Sequence, residues 1–183
     1  MKVLVFVKAT PNSEKGLLPD AEMQEMFAKM GKFNEELVKA GVIQEADGLK
    51  PSSAGKRVTF SNSGHTSVID GPFAETKELV AGYWVWNVKS MDEALDWAKR
   101  CPNPMPGEEG VLEIRPTYSA EDLDGLMTDE LRAQDARMRK EVTRQQKQTQ
   151  KPKVKSKAKK AVKGKAKKSA PAKRKPARAK SKK

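Results

Sequence analysis

The sequence has few of the side chains that structural cross-links and zinc sites require. It contains one cysteine and one histidine in 183 residues. A single cysteine cannot form a disulfide within the chain, and the pair cannot supply the Cys/His cluster of a zinc site. Long apolar runs are also absent near the start: residues 3–7 form a run of five, whereas a signal-peptide core needs about 7–15 and a membrane span about 20. We therefore expect a cytoplasmic protein with no membrane segment, metal or cofactor.

Positive charge is abundant, but it is confined to one end of the chain. The last 33 residues, 151–183, contain 15 Lys, 2 Arg and no acidic side chain. Residues 1–150 contain 20 basic and 24 acidic side chains, so the net charge of +13 arises in the tail. The sequence therefore predicts an acidic body joined to a basic tail.

The body shows an alternation of strand and helix signals. One helix is predicted between Pro19 and Gly41, with Asp20 in its first turn, and a second begins at the capping box formed by Ser90 and Glu93. Turn residues at 62–64 indicate a β-hairpin. The predicted strands are 2–8, 42–49, 57–60, 66–69, 81–88 and 112–115.

This order predicts a ferredoxin-like α+β sandwich of the split βαβ type, in which helices cover one face of the sheet. The strand that contains Trp84 and Trp86 is also apolar at Tyr83 and Val85, which have the opposite parity. The apolar side chains on this second face have to be shielded from water. We therefore infer a homodimer in which two sheets pack face to face. The alternative is that a helix starting at Ser119 folds over that face or lies across the dimer edge.

The first predicted helix carries a stripe of large apolar side chains. We expect core packing for this stripe, although methionines can also line a ligand site. Its members recur at steps of three and four and are Met23, Met26, Phe27, Met30, Phe33 and Leu37.

The most unusual stretch of the body is residues 70–78, which directly follow the predicted hairpin. Gly71 permits and Pro72 stiffens an irregular backbone, so the Asp70 carboxylate would point into a cleft, where it is the candidate catalytic base. The alternative is a structural turn in which Asp70 accepts backbone N–H bonds and Phe73 fills the core. The residues predicted to contact a ligand are Lys8, Asp70, Phe73, Glu75, Lys77 and Trp84.

The sequence of residues 70–78, Asp-Gly-Pro-Phe-Ala-Glu-Thr-Lys-Glu, resembles the signature of the DGPF group of YCII-related proteins. Segments 33–41, 48–52, 82–84, 101–102 and 113–115 are similar to the same group, so the resemblance covers about residues 1–118. It implies a ferredoxin-like subunit that forms a dimeric α/β barrel similar to the muconolactone isomerases.

Some YCII-like relatives are lyases or dehydrochlorinases thought to use a His/Asp pair, with the histidine near the start of the first helix. This chain departs from that pattern because its histidine, His65, lies in the predicted hairpin turn. Asp70 would then have to act without an imidazole near Pro19. The resemblance therefore leaves it open whether the chain is an enzyme.

The basic tail contains no aromatic residue and no Leu or Ile, so we expect disorder. Its Lys/Ala/Pro repeats resemble the tails of linker histones and bacterial histone-like proteins. We expect non-specific binding to DNA or RNA, with a solubilising tail and a membrane-surface anchor as alternatives. The residues predicted to contact phosphates are Lys157, Lys159, Lys160, Lys165, Lys167, Lys168, Lys173, Arg174, Lys175 and Arg178.

The sequence as a whole predicts a domain at 1–118, a polar helix at 119–150 and a tail at 151–183. The leading hypothesis is a dimeric small-molecule-binding domain tethered to nucleic acid, with nucleoid association through the tail. One alternative is a lyase or isomerase of catabolic or detoxifying type that uses Asp70. Another is an accessory regulator linked to an extracytoplasmic-function sigma factor, which the flanking genes would reveal.

Overall fold

The computed structural model of the chain describes residues 1–17 and 19–149, apart from the side chains of Lys77, Gln148 and Thr149. Residues 1–126 form one compact unit, and a second unit begins at Met127. The elements in chain order are β1 (Lys2–Lys8), α1 (Ala21–Lys39), β2 (Ile43–Gly48), β3 (Lys56–Phe60), β4 (Thr66–Asp70), β5 (Val80–Asn87), α2 (Met91–Arg100), β6 (Leu112–Pro116) and α3 (Asp129–Thr149).

The main sheet has four strands in the order β2-β5-β1-β6, and every neighbouring pair is antiparallel. Because α1 connects β1 to β2 and α2 connects β5 to β6, the predicted ferredoxin-like α+β arrangement is confirmed. Strands β3 and β4 form a separate two-stranded sheet in the connection between β2 and β5. The predicted hairpin is therefore present, as an insertion in the ferredoxin-like order.

The hydrophobic core lies between one face of the main sheet and the two helices α1 and α2. Val5, Trp84 and Trp86 of the sheet pack with Phe33 of α1, and Ala94 of α2 belongs to the same buried cluster. The Phe33 ring meets both indoles at centroid distances of 6.4 Å in edge-on geometry, which aromatic pairs favour. The parity expected for the strand that contains Trp84 and Trp86 is thus confirmed.

The opposite face of the main sheet, here called the open face, carries half-buried apolar side chains flanked by charges. Strand register aligns two rows across it. The first row contains Glu45, Val85, Leu4 and Arg115. The second row contains Asp47, Tyr83, Phe6 and Glu113.

Local signals account for the ends of both helices in the first unit. The Asp20 side chain accepts a hydrogen bond from the Met23 backbone N–H at 2.8 Å, so α1 begins one residue later, at Ala21. Pro19, expected in the first turn, precedes this cap. In α2 the Ser90 hydroxyl accepts from the Glu93 N–H at 3.2 Å, which confirms Ser90 as the N-cap, while the Glu93 carboxylate accepts from the Lys89 N–H at 2.6 Å instead of the Ser90 N–H of the predicted capping box.

The helix predicted to start at Ser119 begins ten residues later, at Asp129. A short 3-10 turn at Glu121–Leu123 is followed by Gly125, whose φ of +80° lies in the left-handed region and cannot continue an α-helix. Within the described residues no helix is both long enough and apolar enough to span a bilayer. The predicted phosphate-binding tail at 151–183 lies outside the described residues.

Candidate functional site

A cavity of ≈ 900 Å³ lies between the N-terminal half of α1 and the main sheet. Segments around Thr10–Leu17, Gly48–Pro51 and Pro104–Pro106 complete its walls. Most of its wall is apolar. The large apolar side chains that line it include Met23, Met26, Phe27, Met30, Met105 and Trp84.

The methionine stripe of α1 lines this cavity, so the expectation of core packing is not met by Met23 and Met26, whereas Met30 also packs against the core. Phe33 and Leu37 are buried in the core, whereas Met23, Met26 and Met30 are half-buried along the cavity wall. The helix periodicity is as expected, but only its C-terminal half packs directly on the sheet. Unbranched thioether side chains suit such a wall because they adapt to ligands of different shape.

The inner wall of the cavity is formed by Trp84, whose exposure is 5%. Its indole Nε1–H donates a hydrogen bond to the Asn34 side-chain oxygen at 3.0 Å. Asn34 is half-buried one helical turn after Met30 and also lines the cavity. A hydrogen-bonded pair therefore lies at the end of the methionine wall.

Several polar side chains on the cavity wall already have protein partners. Lys15 donates to Asn12 at 2.8 Å, and the Glu14 carboxylate accepts from the Ser52 backbone N–H at 2.9 Å and from its hydroxyl. On the open face of the sheet, the Tyr83 hydroxyl donates to Glu45 at 2.9 Å, and this bond to a carboxylate raises the pKa of Tyr83. Tyr83 is thereby kept in its protonated form.

The segment at 70–78 packs against the turn that contains Ser52. A Cβ at Gly71 would lie 1.8 Å from the Ser52 carbonyl oxygen, so only glycine fits there. The Phe73 backbone N–H donates to the Ser52 hydroxyl at 3.2 Å, and the Arg57 guanidinium lies 4.1 Å from the Phe73 ring centroid. Ser52 also donates hydrogen bonds to Glu14, which lines the cavity. The Asp-Gly-Pro-Phe segment therefore positions one side of the cavity rim.

Asp70 itself ends β4, and its side chain is 73% exposed. It forms an ion pair with Lys56 across the hairpin. The alternative turn interpretation predicts that this carboxylate accepts hydrogen bonds from backbone N–H groups. No such bond is formed among the described residues. Its assignment as a catalytic base therefore stays a prediction from the sequence.

The predicted ligand residues are distributed over two places. Trp84 lines the cavity, whereas Lys8, Phe73 and Glu75, like Asp70, lie outside the described lining. The Lys8 ammonium is 3.5 Å from Glu113 and donates to the Glu78 carbonyl at 3.3 Å. The side chain of Lys77 lies outside the described part of the chain.

Cys101 and His65, whose residue types are often catalytic, lie in ordinary surroundings. Burial raises the pKa of the Cys101 thiol to about 12, so it stays protonated and is a poor nucleophile. His65 is exposed after the hairpin turn. Among residues 1–17 and 19–149, no three His, Cys, Asp or Glu side chains cluster as a metal site would require.

Sequence reasoning missed Asn34 and Met105, and it placed the α1 methionines in the core. One signal was available, because a polar Asn34 follows Met30 at helical spacing within an apolar stripe. Met105 carried no such signal, since it lies in a proline-rich connection far along the chain.

The fold and the cavity together define a ferredoxin-like α+β domain. Its cavity beneath the first helix has the size of a small-molecule binding site. Residues 1–119 match the YCII-related domain family. The chain belongs to this family, which confirms the resemblance of its Asp-Gly-Pro-Phe segment.

A relative in Rhizobium meliloti (strain 1021), an uncharacterized protein, is 36% identical over 95 residues. The matched region covers 52% of this chain and 75% of the relative. The similarity thus includes the body of the chain. Because the relative is uncharacterized, the similarity assigns no reaction.

Proposed function

We propose that the body of this protein binds a small, mainly apolar molecule in the cavity beneath α1. The observation that carries the proposal is the cavity of ≈ 900 Å³ with its methionine, phenylalanine and tryptophan walls. Small-molecule sites typically measure about 300–1,000 Å³ and combine apolar walls with a few polar groups. The glycine-dependent contact between Gly71 and Ser52 supports a rim that is fixed before a ligand arrives.

Binding is favoured over the lyase or isomerase alternative by the surroundings of Asp70. A general base has to lie within hydrogen-bond reach of the proton that it removes. Asp70 is exposed, is paired with Lys56 and lies outside the described cavity lining. We therefore propose a ligand-binding role and assign no reaction to this carboxylate.

We further propose that two copies of the chain associate through the open face. Leu4, Val85 and their neighbours Phe6 and Tyr83 supply its apolar centre. The first row ends in Glu45 on β2 and in Arg115 on β6. A two-fold axis parallel to the strands would reverse this row in the second copy and place Arg115 near the partner subunit's Glu45, which supports a second copy as the occupant. The second row ends in Asp47 and Glu113 and would bring like charges together, so the support comes from the first row and the apolar centre.

The tail is proposed to attach this dimer to nucleic acid. Its support is the charge of 15 Lys and 2 Arg without any acidic residue in 151–183. Such a segment binds phosphates by releasing counterions and reads no sequence, because it has neither a rigid reading element nor aromatic side chains. Two tails in one dimer would increase avidity without any additional contact.

A carboxylate in the methionine wall should weaken binding of an apolar ligand. We expect Met26→Glu to weaken binding of prodan, a fluorescent naphthalene ketone, at least tenfold, because the ligand would have to desolvate a charge. Prodan fluorescence shifts to the blue in apolar surroundings, so a titration measures the affinity directly.

The matched control is Met138→Glu in α3, because Met138 is 53% exposed and belongs to the second unit. This control should bind prodan like the wild-type protein. Equal affinities for Met26→Glu and wild type would show that the cavity is not the binding site.

A further inference from the structure

We propose that Asn34 donates a hydrogen bond from its amide nitrogen to the ligand, and that the cavity therefore selects apolar molecules that carry a neutral oxygen acceptor such as a ketone. This inference rests on the proposed function and adds a ligand class to it. A hydrogen bond between Trp84 and Asn34 joins the inner wall of the cavity to α1.

The orientation of the Asn34 amide is set by its neighbour. The indole N–H of Trp84 can only donate, so the amide group has to present its oxygen to Trp84, 3.0 Å away. The NH₂ end of the amide then points away from the indole. Trp84 is held in place by its own burial and by the Phe33 ring at 6.4 Å, so this orientation is fixed before any ligand binds.

The Asn34 nitrogen has no hydrogen-bond partner among the described residues, although the side chain is half-buried on the cavity wall. Two other polar side chains on the wall have protein partners of their own. Glu14 accepts from Ser52 and Lys15 donates to Asn12, whereas Glu22, Lys50 and Glu108 also lie along the wall. Asn34 thus offers two N–H donors beside methionine side chains that cannot donate.

A neutral hydrogen-bond donor in an apolar wall selects ligands by their functional groups as well as by their size. A ligand oxygen placed against the amide nitrogen would satisfy a group that a hydrocarbon leaves unpaired, and an unpaired polar group in a closed site weakens binding. An ammonium group would meet a donor rather than an acceptor at this position. The arrangement therefore favours ketones, ethers or esters over hydrocarbons of the same shape.

The experiment compares acetylnaphthalene with isopropenylnaphthalene, in which a methylene group replaces the carbonyl oxygen. Isothermal titration calorimetry on the full-length protein should show that the ketone binds about tenfold more tightly, the usual effect of one good hydrogen bond to a buried group. The same titrations are then made on Asn34→Asp. This variant can still accept from Trp84, but its ionised carboxylate cannot donate.

We expect Asn34→Asp to bind the ketone at least tenfold more weakly and to bind naphthylmethylammonium more tightly than the wild-type protein. A merely structural role for Asn34 would not reverse the preference between a ketone and an ammonium ligand. If wild type binds ketone and alkene equally, the inference is wrong while the cavity remains the binding site. If it binds neither, the proposed function fails, and this inference fails with it. The ketone and alkene comparison on wild type does not depend on the folding of the variant.

Discussion

Full-length protein should lose about a thousandfold in affinity for duplex DNA when the salt concentration rises from 50 to 200 mM. The reason is counterion release: each neutralised phosphate contributes about −0.9 to the slope of log affinity against log salt, and about six contacts suffice for this loss. The tail has 17 basic residues and can supply that number. Fluorescence anisotropy with two scrambled duplexes and one single strand measures the slope and tests sequence independence.

The control for this experiment is a full-length variant with all tail lysines and arginines replaced by glutamine. It should not bind, because residues 1–150 carry 20 basic and 24 acidic side chains. A second control ends at residue 150 and should behave in the same way. Binding that is insensitive to salt, or that persists in the glutamine variant, would contradict the tail assignment and favour a solubilising role.

Val85→Arg should convert a dimer into a monomer. Val85 lies in the middle of the open face, between Glu45 and Leu4 in its row. When two sheets pack together, an arginine there would bring a charge and extra volume into the apolar centre. Pairing with the adjacent Glu45 offsets only part of this, so we expect a cost of about 1–3 kcal/mol, or about tenfold to a hundredfold in the dimer dissociation constant. In one chain alone the side chain is half-buried and can turn toward water, so the melting temperature should change little.

Sedimentation of full-length protein at micromolar concentration measures this effect. The matched control is Val38→Arg, because Val38 is 63% exposed on α1 and away from the open face. Val38→Arg should remain a dimer. A monomeric wild-type protein, or a Val85→Arg variant that still dimerises, would mean that the open face is covered in another way, for instance by the C-terminal helix.

The parts of the fold that the sequence predicted are those with local causes. The Ser90 N-cap of α2, the left-handed Gly41 after α1 and the alternation around Trp84 each act within a few residues. The order of elements then restricted the topology to the split βαβ arrangement. The late start of α3 differs from the prediction because Gly125, with its positive φ, interrupts the chain before the helix begins.

The candidate site was harder to predict because it depends on contacts between distant segments. Whether Met26 packs in a core or lines a cavity is decided by the loops at 10–17 and 48–51, which hold space open in front of α1. Those loops are linked by Glu14 and Ser52, which are 38 residues apart. The Asp-Gly-Pro-Phe segment was recognised, but its contact with Ser52 gives it a positioning role that no local pattern reveals.

The most direct test of the central claim, that the cavity beneath α1 binds an apolar ligand, is a titration of full-length protein labelled with ¹³C at its methionine methyl groups. The chain has 8 methionines. Four of them line the cavity, namely Met23, Met26, Met30 and Met105. The other four lie outside its described lining and serve as internal controls, namely Met1, Met91, Met127 and Met138.

Acetylnaphthalene should shift the four cavity methyl resonances in proportion to occupancy, because an aromatic ring within contact distance changes their chemical shifts, and it should leave the four control resonances in place. A response confined to the control methionines, or no response at ligand concentrations near its solubility limit, would contradict the account.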